Sequence, residues 1–268
     1  MTKNILTPST TATRNPVIFT VIGRPRVGKT SLLNALAQIV QAQGGAPEIW
    51  STDALNYSLS LSKFHETHRP SENETSHQRQ WLEAKIHSLK ESRNDVILDI
   101  GSDWTDLHDV LSTMDFEQMG ITLSVVFLMS EDRSDIDYLE DIQTNRHFFP
   151  RNSAIIINEG VLPPLVDIAD VYKIISVHPA VTKALQNGSE IFLAPFLGPM
   201  SEICDRGLSF KEYAEAGQKE GFPTTSIFDR LATDRWYRHD FPELLSELGT
   251  SRLPYMPKGL SVPAGHNA

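Results

Sequence analysis

The chain has a single cysteine, Cys204, in 268 residues, which excludes an internal disulfide framework. With no catalytic or metal-ligand pattern around it, Cys204 reads as a small buried hydrophobe. No apolar run approaches the roughly 18 residues that a membrane-spanning helix requires. The opening segment, MTKNILTPSTTATRNP, is polar and lacks the apolar centre of a secretory signal, so a cytoplasmic location is expected. Positive charge is also scarce: 24 Lys and Arg face 34 Asp and Glu, for a net charge of −10. Such a surface repels phosphodiester backbones, and without a Lys/Arg run strong direct nucleic-acid binding is not expected. His65, His68 and His77 are close in sequence, but their spacing fits no common metal site, and solvated loop positions are expected for them.

A hydrophobic fraction of 40% can supply a full core. Short Val/Ile-rich runs stand at residues 17–22 (VIFTVI), 95–100 (DVILDI), 121–129 (ITLSVVFLM) and 153–158 (SAIIIN), with a weaker one at 172–177 (YKIISV), and a short strand is read at 48–51 (EIWS). Continuous apolar runs of this kind belong to strands buried on both faces. Helical spacing occupies residues 29–43, closed by Gly44-Gly45, and residues 78–92. The pattern predicts an α/β fold, a mostly parallel sheet flanked by helices on both faces. It divides the chain into a disordered tail at 1–15, a nucleotide-binding domain at 16–200, a helical C-terminal extension at 201–253 and a disordered tail at 254–268.

Residues 23–30, GRPRVGKT, match the phosphate-binding pattern G-x-x-x-x-G-K-[ST], with an apolar strand before them and an amphipathic helix after. In such a P-loop, backbone N–H groups turn inward at a helix N-terminus and cradle phosphate oxygens. The cradle is expected to comprise Gly23, Arg26, Val27, Gly28, Lys29, Thr30 and Ser31, with Lys29 reaching the β- and γ-phosphates and the Thr30 hydroxyl on Mg²⁺. The metal needs an acidic partner, and Asp99 stands where strand DVILDI leaves the core. The competing role for Asp99, capping the next helix, is better suited to Asp103. Asp53, just past residues 48–51, either orients the attacking water or caps a helix. Asn158 closes its strand and either reads the base, through an amide that both donates and accepts, or serves as a turn residue.

Two family resemblances follow. GRPRVGKTSLLNAL resembles the first loop of Era- and Der-type GTPases over about 14 residues. Beyond it, DIGS replaces D-x-P-G and Asn158 is followed by Glu-Gly-Val rather than Lys-x-Asp. The second resemblance spans most of residues 17–200 and is to the ParA/MinD superfamily of deviant Walker ATPases, nearest to plasmid proteins of the TraL and StbB kind. STDALN is similar to their D-T-D-P-x-N, ILDIGSD to their D-x-G strand and IIIN to their strand ending in Asn. That resemblance implies ATP with Mg²⁺, Asp53 orienting water, Asp99 on the metal and Asn158 beside adenine. It also implies a nucleotide-dependent homodimer, a protein cargo or adaptor, and a role in plasmid partition, stability or conjugative transfer. Arg24 stands where the family's signature lysine acts across the dimer, which would make it catalytic with Lys29 and Asp53. Its neighbours Pro25 and Arg26 depart from the family's Gly-Gly. An Era-like GTPase and a nucleotide-binding scaffold with little hydrolysis are the alternatives.

Overall fold

Strands β1 (Val17–Ile22), β2 (Glu48–Ser51), β3 (Val96–Asp99), β4 (Thr122–Met129), β5 (Asn152–Asn158) and β6 (Ile191–Ala194) form one sheet in the order β2-β3-β1-β4-β5-β6, every pair parallel. The computed structural model describes residues 14–52, 61–72, 74–100, 105–163, 165–216 and 225–260. In β1 all six residues are buried, because helices cover both faces. Phe19 and Val21 point to one side and Ile18 and Ile22 to the other, the period of two that sorts a strand between two cores. The expected α/β architecture is therefore the observed one.

One face is covered by α1 (Lys29–Ala42), through Leu33, Leu36 and Val40, and by the C-terminal helices α7 (Met200–Arg206), α8 (Phe210–Glu215) and α10 (Phe241–Leu248), while α9 (Ile227–Arg235) lies against α8. Phe210, Trp236 and Phe241 stack at centroid distances of 5.1 and 4.7 Å. These aromatic residues share one apolar cluster with Phe19 and Leu36, so α8, α10 and the turn before α10 complete the layer that α1 begins. The other face carries α2 (Thr75–Ser92), α3 (Thr105–Thr113), α4 (Arg133–Asn145), α5 (Ile168–Ser176) and α6 (Pro179–Gln186), with Ile86, Val110, Leu139, Ile175 and Val181 in its core.

Three features differ from the sequence reading. YKIISV lies mostly in helix α5, which Asp167 caps through Ala169 N–H. Its buried residues, Val171 and Ile175, are four apart, and Tyr172 and Ile174 face outward, so the short apolar run has helical rather than strand period. The sixth strand is instead Ile191–Ala194, a sheet edge too short to be conspicuous in sequence. Residues 254–260, assigned above to a tail, are described and packed: Met256 is buried and Lys258 N–H donates to Gln43 C=O at 3.1 Å. Asp95 fixes this end of the molecule, accepting from Val17 N–H at 2.7 Å, from Arg14 at 2.8 Å and from Tyr255 N–H.

A buried polar network ties α1 to its surroundings. His65 Nε2 lies 2.9 Å from Asn34 Oδ1, which also accepts from Gln38 Nε2 at 3.1 Å, and Gln38 Oε1 accepts from Phe210 N–H at 3.0 Å. Asn34 Oδ1 can only accept, so Nε2 carries the proton. Burial pushes the His65 pKa below its ordinary value near 6.5. The unfolded chain then binds the extra proton more readily, and stability is full above about pH 6.5 and falls as pH drops toward the folded-state value. Urea unfolding is expected to show a lower midpoint at pH 5 than at pH 7.5, with a smaller drop in His65→Gln; equal drops would contradict this assignment.

Candidate nucleotide-binding site

The parallel sheet places the carboxyl ends of β1, β3, β4 and β5 along one edge, where open α/β folds bind ligands. The loop at residues 23–28 leaves β1 there. Gly23 admits no side chain, since a Cβ would stand 2.5 Å from Leu128 C=O on β4. Arg26 has φ 70° and Gly28 φ 97°, left-handed conformations that curl the chain back into α1. Val27 is buried beneath the loop. Leu32 N–H donates to Gly28 C=O at 3.0 Å, so the helix begins as the loop ends.

Lys29 is 9% exposed and its Nζ donates to Gly23 C=O at 2.9 Å and Arg24 C=O at 2.8 Å. The ammonium thus lies over the loop it belongs to, held by that loop's own carbonyls. Thr30 Oγ1 donates to Asp99 Oδ2 at 3.3 Å, and Asp99 is 3% exposed at the end of β3. A hydroxyl and a buried carboxylate converging from two elements supply the hard oxygen donors that Mg²⁺ takes beside a triphosphate, so the residues present fit that ion. Thr52 N–H donates to Asp99 C=O at 3.0 Å, which brings the end of β2 beside the same carboxylate residue. Asp53, the expected water-orienting residue, lies outside the described residues, as does Asp103.

Asn158 makes two contacts, of which sequence reasoning missed the one to Val27. Its Nδ2 donates to Val27 C=O at 2.8 Å and its Oδ1 accepts from Gly160 N–H at 2.9 Å. The bond to Gly160 is the turn role that the sequence offers for Asn158, and the bond to Val27 makes the same amide a strut between β5 and the loop. A Cβ on Gly28 would come within 2.6 Å of that Nδ2, so glycine is required there both for φ and for space. Beyond the strut a cleft of about 230 Å³ opens between the loop and the segment after β6, lined by Arg26, Ser31, Asn158, Pro195, Phe196 and Met200. Ser31 Oγ stands 3.8 Å from the Cys204 sulfur, whose thiol burial pushes above its usual pKa and away from nucleophilic chemistry.

Arg24 turns away from the helix start and toward the segment after β4. It pairs with Asp132 Oδ2 at 3.2 Å, donates to Ser134 Oγ and lies 3.8 Å from Asp135. The three partners sit in SEDRSD, where Asp132 caps α4 by accepting from Ser134 N–H. In sequence this stretch signals a helix start and nothing more.

No family model matches the chain, and no curated protein sequence matches it either. Among solved structures, the MinD cell division protein of Aquifex aeolicus is 14% identical, with a TM-score of 0.42, covering 82% of this chain and 95% of that one. The MinC:MinD cell division protein complex of the same organism gives 13%, 0.41, 82% and 94%. Likeness at this level assigns no residue and no activity to the chain. Neither structure is a plasmid protein of the TraL or StbB kind.

Packing at the strut is directly testable. Gly28→Ala is expected to cost at least about 1–2 kcal/mol in urea unfolding from the backbone conformation alone, and more from the collision with Asn158. In an Asn158→Ala background the same change should cost less, because the two residues touch. Equal costs in both backgrounds would remove the strut.

Proposed function

We propose that this protein binds ATP with Mg²⁺ at residues 23–31 and hydrolyses it as a P-loop ATPase. The observation that carries the reading is the convergence of Thr30 and Asp99 beneath a loop whose lysine is already poised over it. A chance G-x-x-x-x-G-K-T sequence has no reason to place its threonine against a buried aspartate from a neighbouring strand. Residues 28–31 would offer N–H groups to the phosphates, Lys29 would exchange its two carbonyl partners for phosphate oxygens, and Thr30 with Asp99 would hold the metal. Bound there, Mg²⁺ would draw off charge developing on the phosphates. The cleft between Asn158 and Phe196 is the assigned seat of the base. Its size and aromatic wall suit a purine, and the absence of Lys-x-Asp after Asn158 favours adenine over guanine.

The larger role is a nucleotide-controlled switch, in which triphosphate binding alters dimerisation and the recruitment of a protein cargo or adaptor. Plasmid partition, stability or conjugative transfer is the setting implied by the resemblance of STDALN, ILDIGSD and IIIN to the ParA/MinD pattern. No helix among the described residues is long and apolar enough to cross a membrane.

Lys29→Ala is expected to lose about 1.5–3 kcal/mol of Mg·ATP affinity, the worth of charge-assisted contacts to phosphate. ATP should outcompete GTP for the wild-type protein, and Asp99→Asn should blunt the Mg²⁺ dependence of binding. Calorimetry with unchanged affinity in Lys29→Ala would overturn the site, and a clear preference for GTP would overturn the base assignment.

A further inference from the structure

Arg24 is another cation of the loop, and its surroundings differ in kind from those of Lys29. Lys29 is satisfied by two carbonyls of its own loop. Arg24 is held by a different element, the turn between β4 and α4, through the Asp132 carboxylate and the Ser134 hydroxyl. Behind them lies Asp135, whose side chain is 2% exposed. Asp135 Oδ2 accepts from Ser130 N–H at 2.8 Å and from Ser130 Oγ at 2.6 Å. Its Oδ1 is buried without a hydrogen-bond partner and faces Arg24 Nη1 at 3.8 Å. The guanidinium thus faces the one oxygen of this buried carboxylate that Ser130 does not reach, and adds its charge to the two Ser130 hydrogen bonds.

We infer that Asp132, Ser134 and Asp135 form a latch that holds Arg24 off the triphosphate and yields it when the nucleotide enters. The inference rests on the proposed ATP site. A triphosphate in the loop brings up to four negative charges close to the backbone of Arg24, and a guanidinium binds phosphate oxygens through the same planar fork that it offers a carboxylate. The Asp132 partner is half-exposed and hence weakly held, so the arginine can exchange it for phosphate. Transfer leaves the inward oxygen of Asp135 without its cation. The first turn of α4 thereby registers whether the loop is loaded, and Asp132 and Asp135 act as positioning residues rather than catalytic ones.

Asp132→Asn tests the latch cleanly, because asparagine keeps the cap on α4 while removing the charge. Mg·ATP affinity, measured by calorimetry on the full chain, is expected to rise about two- to fivefold, the range of an exposed ion pair. In an Arg24→Ala background the same substitution should change affinity less than 1.5-fold. A gain that persists without Arg24 would mean simple relief of charge repulsion and would overturn the latch. So would no gain at all in a protein whose Mg·ATP binding Lys29→Ala weakens as expected. A wild-type protein that binds no Mg·ATP would instead overturn the ATP site, and the latch with it.

Discussion

Gly28 and Asn158 touch, and the geometry of the whole site depends on that contact. The strand-five amide fixes the carbonyl of Val27 at 2.8 Å and fills the space where any side chain at position 28 would go. With Val27 held and Gly28 in the left-handed region, the chain has one way to turn into α1. That turn places Lys29 over the loop and Thr30 against Asp99. A site of this kind works because its donors are aimed before the ligand arrives, which spares the cost of ordering them during binding.

The sheet supplies the frame for that aim. Parallel strands in the order β2-β3-β1-β4-β5-β6 bring Asp99, the loop, Asp132 and Asn158 to the same edge from four separate stretches of sequence. The two cores on either side are dense with fully buried Val, Ile and Leu, so the strand ends are held from both faces. The C-terminal helices matter to this frame, since Phe210 and Trp236 lie under α1 and Trp236 Nε1 donates to Pro195 C=O at 2.9 Å, beside the proposed base cleft. The helix that carries Lys29 and Thr30 and the wall of the cleft are thus fixed by one aromatic cluster.

The parallel sheet and the P-loop were legible in sequence because both rest on local signals: long β-branched runs, and glycines at fixed spacing before Lys-Thr. Asp99 was legible because a carboxylate ending a buried strand is conspicuous. The reading of residues 172–177 as a strand failed because a six-residue apolar run does not show its period, and the caps of α5 decided it. The strut role of Asn158 and the pairing of Arg24 with Asp132 were hidden for a different reason. Each joins residues more than 100 positions apart through one side chain, and nothing in local spacing encodes such a pair.

In the proposed function, residues 23–31 are a preformed triphosphate cradle completed by Asp99. Amide hydrogen exchange on the full chain, with and without Mg·ATP, tests it most directly, because it reads the backbone N–H groups that the cradle is said to use. Adding Mg·ATP is expected to slow exchange in the loop and first turn of α1, at the end of β3 and in the segment after β6, with the amino ends of the strands unchanged. Protection confined to other segments, or none at saturating Mg·ATP, would contradict it.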